Sequence, residues 1–304
     1  MNKDKLVGYL AALAYAIIIG FTFLFAKGAM EYGFIIQLAY RTTIAFIALL
    51  IIAVLFKKKL YYNKKRILKL LLLGILYPLL FVGIQTYGLS VTSSLEAGVA
   101  QAMAPVITLV LASFILNERT NILQKLSLAL SVGGVIYIIY RKQKLNPDPN
   151  FYGLAVLFIA TIAFSIYSVF IRKLRNEFTN FEIMTVIMAE SAFVFVLAAI
   201  VYCIVKGDMG ILIRPLNDKN FIVDIIYLGL LSSLASGLLI NMALRRIEAS
   251  KVVVFNNLST VIQIFSASLI LGEQIFFSHK IGSLCIILGV LGINFLGKKA
   301  KTDK

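Results

Sequence analysis

The residues of this sequence that could do chemistry are amide and hydroxyl side chains set inside long apolar runs. Gln101 and Asn256 stand 155 positions apart, as do Thr86 and Asn241. Thr260 and Gln263 follow Asn256 on one face of a helix, and Gln85 sits beside Thr86. Such groups offer donors and acceptors to an uncharged polar solute, and polar side chains at membrane depth normally face a bundle interior or an aqueous cavity. Gln101, Asn256, Thr260, Gln85 and Asn241 are therefore the candidate solute-binding residues. Tyr15 and Thr22 lie two turns apart in the first apolar run, and Tyr167 follows Thr22 by 145 positions; these three are candidate lining. The plainer alternative is that amides hold neighbouring helices together and tyrosines anchor at interfaces. Ser232, Ser233 and Ser236 read as small residues that allow close helix packing.

Three charges need separate weighing. Glu190 is deep in its run, where a carboxylate could take up and release a proton. Glu96 lies near the start of the fourth run and aligns with Lys251, and Arg41 is the one basic residue left within an apolar run. Glu190, Glu96 and Arg41 are the candidate coupling or gating residues, with end-capping and snorkelling as the alternative. Catalysis finds no constellation. His279 is the only histidine, neither H-E-x-x-H nor G-x-S-x-G occurs, and Cys203 and Cys285 have no metal or redox spacing. The stretch Gly292–Lys298 imitates the first letters of a phosphate loop, but Lys299 replaces the Ser or Thr that would hold magnesium. No catalytic residue, metal or cofactor is expected, and no enzyme activity.

What must position these residues is a membrane bundle. The 304 residues are 60% hydrophobic and 14% charged, with a mean hydropathy of +0.92, far from the composition of soluble domains. Ten apolar runs can be drawn: Leu6–Ala26, Ile35–Phe56, Leu68–Leu89, Ser94–Leu116, Leu123–Tyr140, Phe151–Ile171, Phe181–Val205, Phe221–Ala243, Val252–Leu271 and Ile281–Leu296. None alternates in polarity as a barrel strand would, and most are long enough to cross a bilayer as a helix. The first is too long for a signal-peptide core and is expected to be retained. Ten crossings place both termini on one side. That side collects 21 of the 30 Lys and Arg residues, against eight on the other, so the positive-inside rule puts both termini in the cytoplasm. The net charge of +16 is thereby explained by flanks that touch anionic lipid, not by nucleic acid.

The 155-residue spacing extends well beyond the amides. It lays Ala112, Ser113, Ile115, Leu116 and Glu118 on Ala267, Ser268, Ile270, Leu271 and Glu273, and it matches Gly74 with Gly229 and Gly134 with Gly289. Nearer the N-terminus a shift of 145 pairs Gly8 with Gly153 and Phe25 with Phe170. Two halves of five helices each, 1–145 and 146–304, follow. Because five is odd, the second half enters from the opposite face, which makes an inverted repeat.

The run TSSLEAGVAQAMAPVITLVLASFILNERTNILQKLSLALSVGGV resembles the fourth and fifth helices of the EamA family of the drug/metabolite transporter superfamily. IIGFTFLFAKGA resembles that family's first helix, LAYRTTIAF its second-helix arginine pattern on Arg41, and EASKVVVFNNLSTVIQIFSASLILGEQ its ninth helix. The likeness covers nearly the whole chain. Two departures stand out: no Trp in the first helix, and Thr260 where the second repeat often has Pro. The resemblance implies an all-α integral membrane protein of ten helices in two inverted five-helix repeats. It implies a secondary transporter in the cytoplasmic membrane, exporting a small polar or amphipathic metabolite, amino-acid-like or drug-like, by alternating access. The partners implied are that solute and the lipid bilayer; a homo-oligomer is compatible with the sequence. The competing class is an intramembrane enzyme, sensor or scaffold.

Overall fold

The computed structural model of the chain describes residues 3–57, 63–91, 101, 103–116, 121–143, 151–174, 176–271 and 277–295. Glu96, the Glu118–Arg119 pair and the link at 144–150 fall outside the described residues, as does the side chain of Asn256. Ten helical segments of twelve residues or more run through the described part, besides short turns such as Ala249–Val253: α1 Lys3–Ala29, α2 Phe34–Leu55, α3 Lys64–Val91, α4 Ala104–Ile115, α5 Ile122–Gln143, α6 Phe151–Lys173, α7 Asn180–Lys206, α8 Lys219–Arg246, α9 Phe255–Leu271 and α10 Phe277–Phe295. Six of them, α1, α2, α3, α6, α7 and α8, are long and apolar enough to cross a membrane over their described lengths; α4, α5 and α10 contribute shorter apolar stretches. Helices are the form available here because a bilayer core offers no water to pair backbone N–H and C=O groups.

Local chemistry sets the ends. Thr179 and Glu182 form a reciprocal capping box at the start of α7, and Gly207 closes that helix in the left-handed region at φ 68°. Asn121 and Gln124 do the same for α5, each side chain accepting from the other's backbone N–H at 2.8 and 3.2 Å. Asn63 caps α3, and Asp218 caps α8.

Two helices expected to be continuous are irregular at mid-depth. In α3 the turns widen over Ile75–Leu80, and Tyr77 adopts an extended conformation (φ −146°, ψ 123°). Pro78 accounts for this, since it lacks an N–H, collides with the preceding turn and drives its predecessor out of helical geometry. In α8 the turns widen over Tyr227–Ala235. The 155-residue spacing makes Leu80 and Ala235, where the two irregular stretches end, equivalent positions.

The packing repeats itself. α1 lies against α9 and α8, and α6, its counterpart, lies against α4 and α3; α2 meets α8 as α7 meets α3. Two contacts map onto themselves, α2 with α7 and α5 with α10. The second is the tighter. A Cβ on Gly134 would lie 2.6 Å from the Gly282 carbonyl oxygen, and one on Gly289 would lie 2.6 Å from the Ser127 carbonyl oxygen. Both directions of the seam thus depend on the same missing atom. Asn257, at the start of α9, donates to Ser131 Oγ at 2.7 Å beside it.

Gly134→Ala is therefore expected to cost about 1–3 kcal/mol through overpacking, read as a lower Tm of the detergent-solubilised protein. Gly133→Ala, where an added Cβ would meet nothing within 4 Å, is expected to leave Tm unchanged. Equal effects at the two positions would contradict the seam described.

Candidate functional site

A narrow, partly open cavity lies where helices of the first half meet α8 of the second. α1 contributes Tyr15, Ile19, Thr22 and Phe23; α2 contributes Arg41; α3 contributes Tyr77, Phe81, Val82 and Gln85; Gln101 and Ser232 of α8 complete the lining. The two irregular stretches are both represented, by Tyr77 and Ser232. This is where bilayer physics tolerates irregular backbone, since lost helical hydrogen bonds can be replaced from a polar cavity.

The polar side of the cavity is a chain of contacts between helices. Arg41 donates from Nε to Ser233 Oγ at 2.9 Å and from Nη2 to Ser232 Oγ at 3.2 Å. Thr22 Oγ1 lies 3.0 Å from the same Ser232 hydroxyl and 3.2 Å from the Ile18 carbonyl. Tyr227 donates to that carbonyl at 2.7 Å while its ring stacks on Phe25. Ser236 donates to the Ser232 carbonyl within the widened turns. The serines of α8 are therefore more than small packing residues, because two of them accept from the buried guanidinium.

The apolar side is aromatic. Tyr77 stacks on Phe81, and behind it on Tyr167, at centroid distances of 5.9 and 4.8 Å; Phe81 leans on Phe164. Tyr167 in turn donates to Asn241 Oδ1 at 2.7 Å. Both partners are fully buried.

The structure thus brings Tyr15, Thr22, Arg41, Gln85 and Gln101 to one cavity, and sets Tyr167 and Asn241 one layer behind Tyr77. Thr260 is buried on α9 outside the lining, and Gln263 on the same helix donates to the Ile19 carbonyl of α1 at 3.5 Å. Glu190 also lies outside the lining. Its Oε2 fills the space over Gly74, 1.8 Å from where a Cβ would stand, and has no hydrogen-bond partner there. Tyr77, Phe23 and Phe81 were not singled out from the sequence. Pro78 in the middle of an apolar run was the available sign for Tyr77, because the residue before a proline is displaced from the helix.

The main core runs from the cavity wall at Tyr15, Tyr77 and Phe81 to Leu70, Leu73, Ile171, Met184, Ile240 and Leu244 toward the face that carries the N-terminus, and ion pairs stud that face. These are Arg66–Glu182 at 3.3 Å, Lys69–Glu177 at 2.6 Å and Arg246–Asp4 at 3.0 Å. Arg172 donates to the Leu244 carbonyl, and Arg245 to that of Phe178.

Tyr167→Phe is expected to lower stability by about 1–3 kcal/mol, because it strips the donor from a buried amide whose nitrogen already has no partner. Thermal unfolding in detergent would read this. An unchanged Tm would mean that the hydroxyl–amide bond contributes nothing.

Comparison with known proteins agrees with this architecture. The profile of the EamA-like transporter family matches residues 6–140 and 151–295, one match per repeat. An uncharacterized transporter of Bacillus subtilis (strain 168), YcxC, is 36% identical over 303 residues, covering 99% of this chain and 97% of the relative. Another from the same organism, YoaV, is 23% identical over 294 residues, 96% of this chain and 98% of the relative. A crystal structure with 13% sequence identity superposes with a TM-score of 0.77 over 98% of this chain and 99% of its own, which speaks to the fold alone. With both repeats matched and a relative similar along almost its entire length, the chain is a multi-pass membrane protein that belongs to the EamA-like transporter family.

Proposed function

We propose that this protein is a secondary transporter that exports a small polar or amphipathic metabolite from the cytoplasm by alternating exposure of the central cavity. The observation that carries the reading is the cavity itself, walled mainly by helices of the first repeat, completed by Ser232 of the second and bordered by the irregular turns of α3 and α8. Secondary transporters hold their solutes at such breaks near the repeat interface. The ion pairs gathered at the face that carries the N-terminus are in keeping with a side held shut by charged contacts. The division at 1–145 and 146–304, both termini in the cytoplasm, and export as the direction belong to the same proposal. An enzyme or scaffold would need a reactive constellation or a partner surface that the lining does not supply.

In this reading Gln85, Gln101, Thr22 and Tyr15 contact the solute, with Asn256 as the counterpart of Gln101 from the second repeat. Asn241, Tyr167 and Thr260 support the wall, and Glu190 and Glu96 act in coupling or gating.

Reconstituted into liposomes, the protein is expected to move solute without ATP and with saturation. A specific turnover reaction with no flux would favour an enzyme, and flux at channel rates without saturation would favour a pore. Gln101→Ala is expected to weaken solute affinity by roughly 2–12-fold, the worth of one hydrogen bond, while Tm stays unchanged. A lowered Tm with unchanged affinity would return Gln101 to a packing role. For orientation, Lys64→Cys and Lys219→Cys sit at exposed positions on opposite faces. An impermeant maleimide applied to intact cells is expected to label the second and spare the first; the reverse pattern would invert the topology.

A further inference from the structure

We infer that the solute carries a carboxylate and that Arg41 receives it; the inference deepens the proposed transport function and rests on it. Arg41 is 5% exposed, sits inside α2 and borders the cavity. A guanidinium stays protonated at physiological pH, so its charge must be met within the bundle. Its described partners are Ser232 and Ser233, two neutral hydroxyls that orient the group without cancelling its charge. The ion pairs among the described residues lie elsewhere. Arg66–Glu182, Lys69–Glu177, Arg246–Asp4 and Lys251–Glu248 sit toward the termini-bearing face, and Arg214–Asp208 lies in the connection before α8. Among those residues no carboxylate pairs with Arg41. A buried charge without a counter-charge is costly, and an ionisable group at membrane depth marks a site whose partner has to be identified. Here the missing partner is supplied by the solute.

The rest of the lining defines what the anion is attached to. The serines occupy Nε and one N–H of Nη2, which leaves Nη1 and the second N–H of Nη2. That pair is the planar fork that takes a carboxylate by two parallel hydrogen bonds. Tyr15, Phe23, Tyr77 and Phe81 form an apolar aromatic wall, and Gln85 and Gln101 add neutral donors and acceptors. One fixed positive charge without a described acidic group in the lining matches a monoanion. A phosphate monoester, close to two negative charges at neutral pH, would call for a second cation. The class of solute is thus an amphipathic monocarboxylate with an apolar or aromatic body.

The test uses the full-length protein purified in detergent and matched probe pairs that differ only in charge. These are acetate and acetamide, butyrate and butyramide, phenylacetate and phenylacetamide, and indole-3-acetate and indole-3-acetamide, with benzyl phosphate as the dianion. Calorimetric titration is expected to show at least one carboxylate binding about tenfold or more tightly than its amide, and more tightly than benzyl phosphate. In Arg41→Gln that preference should collapse to near equality, and Arg41→Lys should retain part of it. If Arg41→Gln does not fold, the wild-type pairs decide alone. Amides binding as well as their acids, no carboxylate binding at all, a stronger response to benzyl phosphate, or a preference that survives in Arg41→Gln would each overturn the inference. If Arg41 only clamps α2 to α8, the substitution lowers Tm and the wild type shows no preference for acids, which also overturns it. Saturable flux of a neutral or cationic solute alone would remove the carboxylate and leave transport standing. Carboxylate binding without flux of any solute would do the opposite.

Discussion

Everything in this molecule answers to one constraint: within a bilayer there is no water to satisfy a polar group, so each must find its partner in the protein or in a cavity. The constraint makes the chain helical, and it also makes any departure from a helix informative. α3 opens at Tyr77 and α8 widens over Tyr227–Ala235, and both departures border the cavity where Arg41, Thr22 and the serines of α8 exchange hydrogen bonds. Irregular backbone, buried charge and empty space coincide because each is tolerable only beside the others.

The inverted repeat supplies the second level of order. Each helix of one half meets the counterparts of its own partners in the other, so α1 packs on α8 and α9 as α6 packs on α3 and α4. This exchange brings Ser232 of the second half onto a cavity lined mainly by the first. It also explains why the lining draws on α1, α2, α3 and α8 together with Gln101 ahead of α4, although no pair of those residues is close in sequence except along single helices.

Much of the fold was legible from apolar run lengths and from the 155-residue spacing, because both are one-dimensional traces of a repeated helix. The seam glycines Gly134 and Gly289 were visible for the same reason. The site was legible only in part. Gln101, Gln85, Thr22 and Tyr15 could be picked out as polar groups in apolar runs, and they do reach one cavity. Arg41 could be seen as a lone charge, but its direction depends on how α2 is rotated against α8, and a single helix does not encode that. Asn241 was aligned with Thr86 by the repeat, whereas the bond it makes is to Tyr167 on α6, a pairing across space that no spacing reveals. Tyr77 was hidden in plain hydrophobic sequence, since its importance comes from what Pro78 does to its backbone.

The α5–α10 seam carries one more implication. Gly134 meets Gly282 as Gly289 meets Ser127, which is the isologous form of a twofold dimer contact written into a single chain. Two identical inverted halves would give two opposite-facing arrangements of equal energy, a molecule with no preferred orientation of its opening. In this chain the equality is broken at equivalent positions, where Tyr77 and Pro78 of α3 stand opposite Ser232 and Ser233 of α8. One side therefore presents a proline break faced with aromatic rings, and the other a widened helix faced with hydroxyls bound to Arg41. The two halves thus set different chemistry at equivalent positions beside one cavity, while the α5–α10 seam repeats one contact in both directions.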